Sequence, residues 1–283
     1  METIGRQKIW SFTKIGRKSE ATTCTEVRHG NGLHVTSYVE LATKVAELQF
    51  MNRDFVLLFR GQPSDWRNKP GNSTLKPSIL RAANSQKAPS EKELSKCYET
   101  LLRAEQELVS RYRAGNTPGA TRLRRQQILR WAILQHYEVC KTPLLDVTHS
   151  LRIAASFASH DADDEAFIYV LGVPNLSGAV TASAEAGLQI IRLASVCPPS
   201  ALRPHFQEGY LLGEYPEIGS PTQKQHYRNY EIDFGRRLVA KFKFNPKEFW
   251  HGSYGVPEVR KSALYPGSDP LLVLAQAIKD AIS

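Results

Sequence analysis

The sequence predicts an α+β fold: mixed, mostly antiparallel central sheets with a helical hairpin insertion and a C-terminal helix. Three observations predict it. Apolar runs of strand length recur at 54–59, 166–173 and 188–196, and 237–244 has the alternation of a half-buried strand. Two neighbouring segments, 90–112 and 121–137, carry apolar residues at helical spacing. The strands do not alternate strictly with helices, which disfavours a doubly wound parallel sheet.

Residues 1–32 mix charge, Gly and Thr with weak periodicity and read as a strand or two with loops, or as a partly ordered arm. The rest, 33–283, reads as a single domain, because no stretch is punctuated sharply enough to divide it. Ser37-Tyr38-Val39-Glu40 has the form of a capping box and opens a helix to Asn52. Asp54–Phe59 follows as a buried strand that delivers Arg60 and Gly61 at its carboxyl end. Residues 63–90, rich in Pro, Gly, Ser and Asn, form a long loop with one ordered patch at Leu75–Arg81.

Ser90 then caps a helix whose stripe of Leu94, Tyr98, Leu101, Leu108 and Tyr112 is interrupted by Glu105 alone. A Gly/Pro turn at Gly115–Gly119 leads to a second helix, Thr121–Tyr137, with Leu123, Ile128, Trp131 and Leu134 inward. Its outer face carries Arg122, Arg124, Arg125 and Arg130, a run more typical of a solvated face than of a ligand site. Leu151–Ser159 reads as a short buried helix, and Ala166–Val173 and Leu188–Val196 as continuous apolar strands. Arg237–Phe244 alternates apolar and polar residues like a half-buried strand. Pro246 starts a turn or short helix, and Ser268-Asp269-Pro270 opens a C-terminal helix to Ile282.

Composition narrows the class. A chain of 283 residues, 41% hydrophobic and 23% charged, can bury a sizeable core without staples. No run approaches ~18 consecutive apolar residues, so no membrane-spanning helix is expected. The N-terminus lacks an apolar core, so no secretory leader is expected either. Cys24, Cys97, Cys140 and Cys197 lie far apart, with no paired spacing for zinc. A soluble protein of the reducing cytoplasm is the expectation. The net charge of +9 fits ordinary solubility or attraction to a polyanion.

Four polar blocks are candidates for chemistry. In Phe59-Arg60-Gly61-Gln62, a guanidinium follows an apolar run and precedes glycine. Arg offers a five-donor fork for phosphate or carboxylate, and Gly61 permits close backbone approach; a buried structural ion pair is the alternative. In Gln135-His136-Tyr137, His136 and Tyr137 supply polar handles on a ligand, or form a satisfied core His beside a core Tyr. In Thr142–Ser150, Asp146, Thr148 and Ser150 recur at a spacing of two and face one way if extended. One of these caps the helix near Leu151, but capping needs only one polar residue. Arg203–Tyr210 places Gln207 and Glu208 before a glycine and an aromatic, in a site or in a polar turn. There is no GxGxxG, no P-loop, no HExxH and no GxSxG.

Taken in order, these blocks resemble the FRG domain family. The likeness is carried by Phe59–Gln62 with Trp66, Pro77-Ser78 with Arg81, Gln135–Tyr137, and Leu144–Ser150 with Phe157-Ala158. It continues through Arg203, Gln207, Gly209 and Tyr210 to Ser262–Pro266, and spans roughly 33–280. Two departures stand out. Many relatives have Arg before Leu-Leu-Asp and Trp after it, where this chain has Pro143 and Val147, and the family's Pro-Asp is Pro266-Gly267 here.

A second resemblance is to ADP-ribosyltransferases, in the order and type of Arg60, Asp146–Ser150 and Gln207-Glu208. It implies NAD as substrate, with Arg60, Gly61, Gln62, His136, Tyr137, Asp146, Thr148 and Ser150 binding it. Arg60 would hold the pyrophosphate, Thr148 and Ser150 the nicotinamide amide or its ribose, and Tyr137 would stack on the ring. Glu208 or Gln207 would contact the ribose or activate an acceptor, which could be nucleic acid or protein. The family context implies a bacterial toxin or antiphage effector with a neutralising partner, and no membrane. Two other readings stay open: a non-catalytic module for nucleotide or nucleic acid, and a metal-dependent hydrolase using Asp146 and Glu208, which lacks a carboxylate pair at ligand spacing.

Overall fold

The computed structural model describes residues 4, 7–13, 18–81, 88–220, 222–223 and 233–283. In chain order its N-terminal elements are β1 (Ile9–Ser11), β2 (Glu20–Thr22), α1 (Cys24–His29), β3 (Leu33–His34), α2 (Tyr38–Met51) and β4 (Val56–Gln62). The helical insertion is α3 (Glu91–Ala114), α4 (Ala120–Arg125) and α5 (Gln127–His136). Then come β5 (Leu145–Thr148), α6 (Leu151–His160), β6 (Ala166–Val173), β7 (Val180–Ser183), β8 (Leu188–Arg192) and α7 (Leu193–Val196). The last labelled elements are α8 (Arg203–Phe206), β9 (Gly209–Glu214) and β10 (Leu238–Phe244), followed by helices Pro246–His251, Lys261–Leu264 and Pro270–Ile282.

The fold is α+β, as the sequence predicts. Eight strands form one sheet in the order β3-β10-β6-β4-β5-β9-β8-β7. All neighbours are antiparallel except β3 with β10. β1 and β2 make a small antiparallel pair. Ile4, Ile9, Phe12, Cys24 and Val27 of the N-terminal stretch join the same apolar core as the sheet. No helix among the described residues is long and apolar enough to cross a membrane.

β6 is buried at all eight positions, as an unbroken apolar run requires when both faces are covered. On one face α6 lies across β4, and its approach is set by Gly61. A Cβ there would collide with the Ala154 carbonyl oxygen and come within 2.8 Å of the Ala158 nitrogen. The α3 stripe buries Tyr98, Leu101, Leu108 and Tyr112. Glu105 is buried with them because α5 turns three donors toward it: Trp131 Nε1 at 2.7 Å, Arg130 Nε at 2.6 Å and Gln127 Nε2 at 3.2 Å.

The structure departs from the sequence reading at several points, each with a local cause. The expected helix 121–137 is two, because Gln126 is extended (φ −117°, ψ 110°). Arg130 is therefore not on a solvated face but paired with Glu105. The strand expected over 188–196 ends at Arg192, and 193–196 is helical. α1 opens on a full capping box, Thr23 with Glu26, in a stretch read as strands, loops or an arm. Arg60 and Gly61 lie inside β4, which runs on to Gln62 because β6 pairs with it throughout. β10 is buried on both faces rather than half-buried, since α1 covers the side that carries Lys241.

Candidate active site

Three of the four segments singled out from the sequence meet through strand pairing. Phe59 of β4 pairs with Thr148 of β5, and Thr148 pairs with Gly209 of β9. Arg60, Asp146 and Gln207 thereby reach one cavity of about 330 Å³ at this end of the sheet. The end of α5 closes one wall with Gln135 and His136.

Asp146 is the organising carboxylate. Its Oδ2 accepts from Gln135 Nε2 at 2.6 Å, and its Oδ1 lies 3.7 Å from His136 Nδ1. Its backbone carbonyl accepts from Arg60 Nη1. Burial works to raise the Asp146 carboxyl, but His136, Arg60 and Gln135 outweigh it and hold it below the usual carboxylate range. Burial pushes the His136 imidazole down, against the pull of Asp146. Near neutral pH the pair is thus a carboxylate beside an uncharged ring. Burial, with Arg81 nearby, lowers Arg60 to about 10, still charged at neutral pH. The Arg60 Nε is buried and has no hydrogen-bond partner among the described residues.

A second wall is built around Asp269. This residue caps the C-terminal helix through Leu271 N at 3.0 Å. Its other oxygen accepts from Tyr137 Oη at 2.7 Å and from the backbone nitrogens of Leu202 (3.1 Å) and Arg203 (2.8 Å). That fixes the start of α8 and aims Arg203 along the cavity. Arg203 Nη2 donates to Glu138 at 2.6 Å, and its guanidinium lies 4.5 Å from the Tyr265 ring centroid. The cavity therefore gathers three guanidinium groups, Arg60, Arg81 and Arg203, beside the carboxylates Glu138, Asp146 and Asp161.

Of the residues singled out from the sequence, Arg60, Gly61, Gln62, His136, Asp146, Thr148 and Gln207 border the cavity. Gly61 also serves the α6 packing described above. Tyr137 lies behind the wall, buried, its hydroxyl committed to Asp269. Ser150 begins α6 off the wall and makes no capping bond with its side chain. Thr148 Oγ1 instead accepts from Ser150 N at 3.0 Å and donates to the Gln207 carbonyl at 2.9 Å.

Gln207 and Glu208 separate. Glu208 adopts a left-handed backbone (φ 44°), which turns its side chain out to solvent. Gln207 stays buried with Nε2 on the Leu264 carbonyl at 2.8 Å. Sequence reasoning assigns no ligand role to Trp66, Arg81, Gln135, Arg203 or Tyr265, though all stand in the blocks that carry the resemblance. Glu138 and Asp161 border the cavity with no sequence signal at all. Among the described residues no group of three or more His, Cys, Asp or Glu is placed to hold a metal ion.

The comparison with protein families matches residues 56–166 to the FRG domain. The chain carries an FRG domain. No curated protein and no solved structure matches it. The FRG match runs from the start of β4 to the first residue of β6 and holds Arg60, His136, Asp146 and Thr148. Arg203, Gln207 and Tyr265 reach the same cavity from beyond the matched FRG stretch.

Proposed function

We propose that this cavity binds NAD or a related nucleotide and that the protein is an ADP-ribosyltransferase-like enzyme. One observation carries the reading: Arg60, Asp146 with Thr148, and Gln207, spread over some 150 positions of chain, border one cavity. Its volume, about 330 Å³, lies in the range of small-molecule sites. Three guanidinium groups suit a pyrophosphate, which they bind by paired charge-assisted hydrogen bonds.

In this reading the bond between the nicotinamide nitrogen and ribose C1′ breaks. The electron pair leaves with nicotinamide, which becomes neutral, and positive charge builds on the sugar. In this reading the ionised Asp146 stabilises that charge, as carboxylates do in glycoside cleavage. An acceptor nucleophile then bonds to C1′ and releases its proton. Glu208, exposed and off the wall, has no part in this form of the mechanism.

Charge favours nucleic acid as acceptor. Residues 108–137 contain Arg111, Arg113, Arg122, Arg124, Arg125 and Arg130 and no acidic residue. Arg113, Arg122, Arg124 and Arg125 are exposed at the hairpin tip. Arg122 reaches the Ser195 carbonyl of α7, and Leu193 of the same short helix borders the cavity. Uncontrolled consumption of NAD would make such a chain a toxin or antiphage effector, with need of a neutralising partner.

The second reading is a non-catalytic nucleotide-binding FRG module. The commitment of Gln207 to Leu264 and the outward turn of Glu208 favour it. Incubation with labelled NAD, with and without RNA, DNA and protein acceptors, decides. Free nicotinamide or labelled acceptor, lost in Asp146→Asn, supports the enzyme. Tight NAD binding with no product under any condition supports the module.

A further inference from the structure

Trp66 combines a fixed backbone with an uncovered ring. On its N-terminal side, the Asp65 carboxylate accepts from Lys241 Nζ (2.8 Å), Arg67 Nε (2.9 Å) and Tyr169 Oη (2.9 Å). Lys241 Nζ also donates to Ser73 Oγ at 2.7 Å, and this lysine is 2% exposed. On the other side, Arg67 donates to the carbonyls of Gly30 (2.8 Å), His29 (3.0 Å) and Gly71 (3.1 Å). The Trp66 carbonyl itself accepts from Thr74 N at 2.8 Å. A loop held at so many points has little freedom to fold its indole away. Yet Trp66 is 55% exposed.

The indole stands on the cavity wall. Phe157 and Tyr265 border the same cavity and meet edge to face at 6.0 Å, and Tyr265 is 38% exposed. The cavity thus carries aromatic side chains as well as guanidinium groups. A half-exposed indole on a cavity wall is well suited to cover a flat π face.

We propose that Trp66 is the stacking platform of the cavity and receives the planar ring of the bound nucleotide, while Arg60 and Arg203 take its phosphates. This rests on the nucleotide reading and adds a specificity residue to it. Base–aromatic stacking of the usual strength predicts a loss of about 10- to 100-fold in affinity when the ring is removed. Phe keeps a π face and restores most of that loss.

The test is titration calorimetry on the full chain with NAD, AMP, nicotinamide mononucleotide and inorganic pyrophosphate, using wild type, Trp66→Ala and Trp66→Phe. The expected result has three parts. Trp66→Ala weakens NAD about 10- to 100-fold. Trp66→Phe binds within a few-fold of wild type. Pyrophosphate affinity is the same in all three proteins, which shows that the loop and the guanidinium groups are in place. The mononucleotide that Trp66→Ala weakens more identifies which ring is stacked. Wild type binding NAD with Trp66→Ala equal to it overturns the inference alone. A parallel loss of pyrophosphate and NAD in both variants also overturns it, by making Trp66 structural. Wild type binding no nucleotide overturns the nucleotide reading and this inference with it.

Discussion

Gly61 and Ala154 meet backbone to backbone: the strand glycine leaves no room for a Cβ beneath the Ala154 carbonyl oxygen of α6. This contact seats the helix on β4 beside Arg60. Because the obstacle is backbone on both sides, no side chain can move to relieve it. Gly61→Ala should therefore destabilise the fold by at least about 3 kcal/mol, read by urea denaturation. A change within experimental error would mean that α6 sits farther from β4.

Glu105 should behave as a buried acceptor that three donors depend on. Glu105→Leu leaves Arg130, Trp131 and Gln127 without their partner in a low-dielectric interior. The expected cost is about 3–5 kcal/mol, visible as an early denaturation midpoint. The double variant Glu105→Leu, Arg130→Leu should recover part of it, since the stranded charge is then gone.

Arg60→Ala should abolish nucleotide binding while the chain still folds, with circular dichroism and melting as the controls. Arg60→Lys should restore charge but little affinity, because a single ammonium cannot reproduce the paired donors of the guanidinium. Loss of solubility in Arg60→Ala would assign Arg60 to structure alone.

Acid should weaken the protein through the Asp146–His136 pair. The folded-state pKa of His136 lies below its ordinary value, so the unfolded chain binds that proton more readily. Stability is then lost as pH falls below about 6.5. Asp146, also lowered, adds a further loss at more acidic pH, as pH falls through its folded-state value. Melting temperature against pH should fall from neutral toward pH 5, and His136→Gln should flatten that limb. An identical slope in the variant would remove His136 as its cause.

Removing charge at the hairpin tip should weaken binding to single-stranded nucleic acid and its salt dependence together. For the combined change Arg113→Gln, Arg122→Gln, Arg124→Gln and Arg125→Gln, the slope of log affinity against log salt should fall in magnitude by up to about 3. All four are exposed, so the melting temperature should hold. A slope equal to that of wild type would leave the patch as a solvated face.

Local physics made much of this protein readable without coordinates. Ser90 and Asp269 act as caps because a side-chain oxygen needs only the next few amides. β6 announced itself by an unbroken apolar run, and α3 by its stripe. The polar blocks that border the cavity are visible in the sequence as clusters. How those positions are buried and paired is decided elsewhere in the chain. Lys241 is buried because Asp65, 176 positions away, neutralises it. Gln207 is buried and Glu208 exposed, with Glu208 in a left-handed backbone just before β9. Tyr137 is taken by Asp269 across 132 positions. Burial, charge pairing and the choice of which polar atom faces a cavity are properties of neighbours distant in sequence, and only packing brings them together.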